Sequence, residues 1–191
     1  MPTLKGSKTE HNLLASFAGE SQARNRYSFA ASIARKEGYE QISGIFLETA
    51  DNEKEHAKLF FRLLEGGEAT ITAGYPAGVS GDTLAQLQAA AAGEKLEWTT
   101  LYADFADVAG QEGFKKAADT WKHVLEVEKW HERRYNKLID AVQGKSVFKK
   151  PEKALWKCRN CGRVVEATEA PAKCPTCEHE RAYFELYAEN Y

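Results

Sequence analysis

Glutamate and histidine recur in this chain at places where helical periodicity calls for apolar side chains, and that conflict narrows its possible folds more than any other feature. Glu20, Glu53-x-x-His56, Glu94-x-x-Glu97 and Glu128-x-x-His131 fall on the same stripes as Leu13, Phe17, Phe46, Phe60, Leu87, Leu101, Phe105 and Trp121. Residues i and i+3 share one helix face, so both members of each pair point the same way. Five carboxylates inside a bundle, without counter-charge, would each cost several kcal/mol. A pair of bound metal ions supplies the missing positive charge. One Glu from each of two helices, with Glu-x-x-His from each of the other two, is the ligand set of di-iron carboxylate bundles, and Glu97 adds a further carboxylate.

The periodicity predicts four long helices. Ser7-x-x-Glu10 reads as a capping box opening the first, which runs to about Gly38 with an inward stripe of Leu13, Phe17, Glu20, Arg24, Tyr27, Ala31 and Ala34. The second spans about Tyr39 to Leu64. Residues 67–82 carry Gly74, Pro76, Gly78 and Gly81 and read as a long crossover loop. Asp82 caps the third helix, and Gly113 separates it from the fourth. The two halves resemble each other: Glu37-Gly38-Tyr39 precedes one Glu-x-x-His, and Glu112-Gly113-Phe114 precedes the other. Glu20 lies 33 positions before Glu53, whereas Glu94 lies 34 before Glu128. A duplicated hairpin with one slip of register predicts a pseudo-twofold, all-α bundle over residues 1–148. Tyr27 and Tyr102 fall close to the glutamate rows, within reach of metal ligands. His11, His123 and His179 have no partner at ligand spacing and read as surface residues or as residues that back the ligands without binding metal.

Lys149-Lys150-Pro151 reads as a linker to a small unit over residues 153–191, which is too short to build a core unaided and needs a structural metal. Cys158-x-x-Cys161 and Cys174-x-x-Cys177 are the only cysteines. Two such knuckles form a tetrahedral four-sulfur site for zinc or a single iron. Gly162 and Pro175 favour tight turns that aim backbone N–H groups at sulfur. Spacing leaves the metal open, but a carboxylate site that turns over needs an electron source, which favours iron.

A net charge of −2 gives no reason to expect nucleic acid or an anionic membrane as partner. The first twenty residues lack the pattern of a signal peptide, and no stretch approaches the ~18 apolar residues of a membrane span. A cytoplasmic protein is expected, in which such cysteines bind metal.

These motifs together resemble the rubrerythrin family over essentially the whole chain. The resemblance rests on Gly19-Glu20-Ser21-Gln22-Ala23-Arg24-Asn25-Arg26-Tyr27, Glu53-Lys54-Glu55-His56, Ala92-Gly93-Glu94 with Glu97, and Glu128-x-x-His131. It continues in Trp156-x-Cys158-Arg159-Asn160-Cys161-Gly162 and Cys174-Pro175-x-Cys177. It implies a ferritin-like four-helix bundle with a di-iron site, followed by a β-rich rubredoxin-like Fe(Cys)4 unit. The implied activity is reduction of hydrogen peroxide to water. The electrons would come ultimately from NAD(P)H through a partner such as rubredoxin or a reductase. Glu53 and Glu128 would bridge the irons, with Glu20, Glu94, Glu97 and His131 as further ligands. Glu97 would exchange with His56 on reduction, and Tyr27 and Tyr102 would support the ligands. Homodimers or larger homo-oligomers are implied as well. Arg163 departs from the family, which usually has an aromatic residue after Cys161-Gly162. Two other functions stand beside the peroxidase: a ferroxidase or iron-storage protein, and a binding protein with zinc substituting at both sites.

Overall fold

The computed structural model describes residues 2–78 and 81–190. Helix α1 (Lys8–Lys36) pairs with α2 (Glu40–Phe61), and the crossover leads to a second hairpin of α3 (Thr83–Leu96), α4 (Tyr102–Gln111) and α5 (Lys115–Gln143). Between α3 and α4 the helix continues as a π-helical segment, Glu97–Leu101. Ser7 and Asp82 cap α1 and α3, accepting from the backbone N–H groups of Glu10 and Ala85.

The duplication read from the sequence is visible in matched contacts. Gly38 and Gly113 both adopt positive φ (82° and 86°), which glycine takes without a Cβ penalty, and each turns the chain into the next helix. The glutamate before each glycine then reaches the opposite hairpin. Glu37 accepts from the Thr83 backbone N–H at 2.9 Å, and Glu112 accepts from the Thr9 N–H at 2.9 Å and its hydroxyl at 2.7 Å. Each therefore satisfies orphan donors at the start of a helix in the other half, where its negative charge also suits the helix dipole.

Two aromatic clusters repeat the symmetry. Tyr27, Phe46 and Tyr135 pack on one side of the bundle centre, with centroids 5.3 to 6.1 Å apart. Tyr102, Trp121 and Phe60 pack on the other, where Phe60 lies 5.6 Å from both partners. The polar residues of the Glu and His motifs sit between these layers.

Four sequence expectations are corrected. The third helix is interrupted by the π segment, α2 ends at Phe61 rather than Leu64, and Arg24 is exposed while Ala23 takes the inward place. Lys149–Pro151 is not a linker but the start of strand β1 (Lys149–Cys158), which pairs antiparallel with β2 (Val164–Glu169) and β3 (Phe184–Leu186) in the order β2-β1-β3. Pairing of β1 with β2 is irregular between Lys149 and Ala154, where Pro151 has no N–H to give. The sheet covers a small core of Trp156, Cys158, Ala170, Cys174 and Phe184. It rests on α2: a Cβ on Gly44 would lie 2.7 Å from the Arg159 guanidinium, and Tyr39 stacks on Phe148 at 6.0 Å.

Candidate metal centres

Six of the predicted ligands converge at the middle of the bundle. Glu20 comes from α1, Glu53 and His56 from α2, Glu94 from α3, and Glu128 and His131 from α5, all buried. Their donor atoms form two groups, Glu20–Glu53–His56–Glu128 and Glu53–Glu94–Glu128–His131, each with all atoms within 4.8 Å of one another. Glu53 and Glu128 belong to both groups, as bridging carboxylates would.

The polar bookkeeping of this cluster does not close with protein atoms. Glu20 Oε2, Glu53 Oε1, Glu94 Oε2, both carboxylate oxygens of Glu128 and His131 Nδ1 are buried with no well-aligned hydrogen-bond partner. Buried polar groups are otherwise almost always satisfied. These six atoms all belong to predicted ligands and face one another, so cations complete the set. Carboxylate oxygen with imidazole nitrogen suits iron.

The electrostatics agree. Burial, reinforced by the charge of Glu53, pushes Glu20 and Glu94 well above the usual carboxylate range. Burial acts in the same direction on Glu53, but the close approach of the His131 and His56 rings overcomes it and holds this carboxyl down at about 2. Burial favours neutral imidazoles, yet contacts with Glu128 and Glu53 raise His56 to about 10 and His131 to about 12. His56 Nδ1 lies 2.9 Å from Glu53 and 2.9 Å from Glu128, and His131 Nδ1 lies 2.8 Å from Glu128. Protons on the two rings thus stand in for the charge that metal ions supply.

Tyr27 and Tyr102 are placed as mirror images. The Tyr27 hydroxyl donates to Glu94, and the Tyr102 hydroxyl donates to Glu20 at 2.5 Å. Both rings are buried, and each anchors the carboxylate contributed by the other hairpin.

Glu97 is the predicted ligand that belongs to neither group, whereas His56 belongs to the first. Glu97 is partly buried beside the cluster, where burial, reinforced by the charges of Glu94, Glu128 and Glu53, pushes its carboxyl well above the usual carboxylate range. The π segment begins at Glu97 and lodges one extra residue in the helix. Glu20 and Tyr27 are 7 positions apart, and Glu94 and Tyr102 are 8 apart. That added residue is the slip of register between the halves. At the place that mirrors Glu97 stands Ala23, so only one half carries this additional carboxylate.

Sequence reasoning missed Asn52. His131 directs Nδ1 at the cluster, and its Nε2 lies 3.2 Å from Asn52 Oδ1. Position 52 adjoins Glu53, but nothing in the sequence marks it as a partner of a histidine on another helix.

The four cysteines also converge. Cys158 and Cys177 sulfurs lie 3.8 Å apart, and those of Cys161 and Cys174 lie 3.6 Å apart. A tetrahedron with metal–sulfur bonds of about 2.3 Å has edges of about 3.8 Å, whereas a disulfide would need about 2.05 Å. The knuckle turns aim backbone N–H groups at sulfur: Arg163 at Cys161, Thr176 and Cys177 at Cys174, and His179 at Cys177. The His179 N–H is the main cause holding Cys177 down at about 6. His11 and His123 are exposed, and His179 serves through its backbone rather than as a ligand.

Comparison with known proteins agrees with this pair of centres. The family model described as Rubrerythrin matches residues 11–139, and that described as Rubrerythrin, rubredoxin-like domain, matches residues 156–185. Rubrerythrin of Porphyromonas gingivalis is 56% identical over 189 residues, covering 99% of this chain and 94% of that protein. Rubrerythrin of Nitratidesulfovibrio vulgaris is 48% identical over 191 residues, covering 100% of each. Among solved structures, the fully reduced, all-ferrous state of nigerythrin aligns with a TM-score of 0.63 at 31% identity, covering 95% of this chain and 87% of that one.

Proposed function

This chain belongs to the rubrerythrin family, and from that premise we propose that it is a peroxidase, reducing hydrogen peroxide to water. The observation that carries the reading is the pairing, in one chain, of a buried carboxylate–histidine cluster whose donor atoms lack partners with a separate four-thiolate site. The family binds iron, and when bound it supplies redox chemistry: two electrons at the carboxylate cluster, replenished one at a time through the thiolate site. In the overall reaction the O–O bond breaks, two electrons and two protons are consumed, and both oxygens leave as water.

The chain's own residues do the holding and positioning. Glu53 and Glu128 would span the metal pair, with Glu20 and His56 on one side and Glu94 and His131 on the other. Tyr27 and Tyr102 fix the orientation of Glu94 and Glu20 through their hydroxyl donors. Glu97, partly buried at the start of the π segment, would enter the cluster in exchange for His56, the two being catalytic in that sense. The apolar clusters above and below exclude bulk water from the carboxylates.

The reading includes an electron-donor protein, such as a rubredoxin or an NAD(P)H-dependent reductase, and a cytoplasmic setting in which free thiols persist. Among the described residues, no helix is long and apolar enough to cross a membrane. It also includes a homodimer or larger homo-oligomer; the bundle exposes Phe29, Phe61 and Trp130, aromatic residues of the kind that interfaces enrich.

The test is peroxide consumption coupled to NADH oxidation through a donor protein, comparing the iron-loaded wild type with Cys158→Ser. Coupled turnover in the wild type and its loss in the variant are expected. Equal turnover in both would remove the relay, and Fe(II) uptake into a mineral core without peroxide turnover would favour iron storage.

A further inference from the structure

The two four-residue groups of the cluster match ligand for ligand yet differ in what stands behind the histidines. His131 presents Nδ1 to Glu53, Glu94 and Glu128, while its Nε2 meets Asn52 Oδ1 at 3.2 Å. A ring nitrogen facing an amide oxygen must carry the proton, so in the neutral ring Nδ1 keeps its lone pair for the cluster. His56 likewise presents Nδ1, to Glu20, Glu53 and Glu128. The repeat of 75 positions that relates Glu53 to Glu128 and His56 to His131 also relates Asn52 to Val127. Valine has no acceptor to offer His56 Nε2. Val127 is moreover exposed, and among the described residues no hydrogen bond holds His56 Nε2, all the ring's polar contacts being made through Nδ1.

We propose that Asn52 is a positioning residue that makes His131 the permanent imidazole of the cluster, and that valine at the mirrored position leaves His56 the releasable one. This rests on the reading of the cluster as a metal site and adds to it an order of strength. The group Glu53–Glu94–Glu128–His131 holds its ion more tightly than the group containing His56. Outer partners of metal-bound histidines commonly change metal affinity by about 10- to 100-fold. A difference of about tenfold between the two bundle sites follows from one such hydrogen bond. The side that binds more weakly is also the side on which the ligand can leave.

The test uses zinc-loaded protein labelled with 15N-histidine, read by long-range 1H–15N correlation, with cobalt titration for the stepwise affinities. In the wild type, both rings should shift on zinc binding, His131 should show an Nε2–H protected from exchange and His56 should show none. Asn52→Val should remove that protection and bring the two cobalt steps together, whereas Asn52→Asp, which keeps an acceptor, should retain both features. Val127→Asn should create a protected Nε2–H on His56. Equal protection of both rings in the wild type, or protection unchanged in Asn52→Val, would overturn the proposal while leaving the metal site intact. Absence of any zinc-induced shift at His56 and His131 would instead overturn the reading of the cluster on which the proposal rests.

Discussion

Replacing Tyr102 by phenylalanine removes one oxygen atom and keeps the ring, so it isolates the hydroxyl's hydrogen bond from the packing around it. In the structure that hydroxyl donates to Glu20 at 2.5 Å, and both groups are fully buried. The ring contacts with Phe60 at 5.6 Å and Phe105 at 6.4 Å survive the change. What is lost is a hydrogen bond to a carboxylate that water cannot reach to replace, a loss of about 1.5–3 kcal/mol for a charged acceptor. For a chain of this size each kcal/mol moves Tm by about 2–4 °C, so the iron-loaded variant should unfold roughly 3–12 °C below the wild type. Tyr27→Phe should behave alike, because its hydroxyl makes the mirrored bond to Glu94. Thermal unfolding followed by far-ultraviolet circular dichroism measures both. An unchanged Tm in both variants would show that the hydroxyls do not support the carboxylates, and the account of how the ligands are oriented would fail.

Glu97→Ala should slow peroxide reduction at least tenfold without loss of helix content, since Glu97 is only partly buried and lies outside both ligand groups; wild-type turnover in that variant would contradict its catalytic role. Glu112→Ala removes the partner of two orphan N–H groups at the start of α1 and should cost about 0.5–2 kcal/mol, read by denaturant unfolding. Hydrogen bonds from Thr9 hold the Glu112 carboxyl below its ordinary value. Its contribution is therefore present above the ordinary carboxylate pKa and is lost as pH falls through the depressed one, so the variant and the wild type should converge in acid. Chelation of the thiolate metal should unfold residues 149–190 and leave the bundle helical, because two of the five residues in that small core are the cysteines Cys158 and Cys174. Retained dispersion of the Trp156 and Phe184 resonances after metal removal would refute this.

Periodicity made the bundle legible because ligands and core residues obey the same 3.6-residue repeat, so Glu53 and Phe46 announce one face together. The thiolate site was equally open to reading, since spacing alone brings Cys158 and Cys161 into one turn. Contacts between distant segments were not legible. Nothing near Glu37 or Glu112 in the chain indicates that each caps a helix in the opposite hairpin. Nothing near Asn52 indicates His131. Strand β1 begins at Lys149 because residue 149 finds Glu169 across the sheet, a pairing that local composition, with two lysines and a proline, argues against. The π segment is an intermediate case. Its trace is present in the sequence as the unequal spacings from Glu20 to Tyr27 and from Glu94 to Tyr102, yet only the structure shows that the extra residue is lodged inside a helix beginning at Glu97.

The central claim is that electrons pass from the thiolate site to the carboxylate cluster and from there to peroxide. Stopped-flow visible absorption tests it most directly, mixing anaerobically reduced, iron-loaded protein with hydrogen peroxide. The account predicts rapid return of the ferric-thiolate colour as peroxide disappears. Protein that stays colourless while peroxide persists would contradict it.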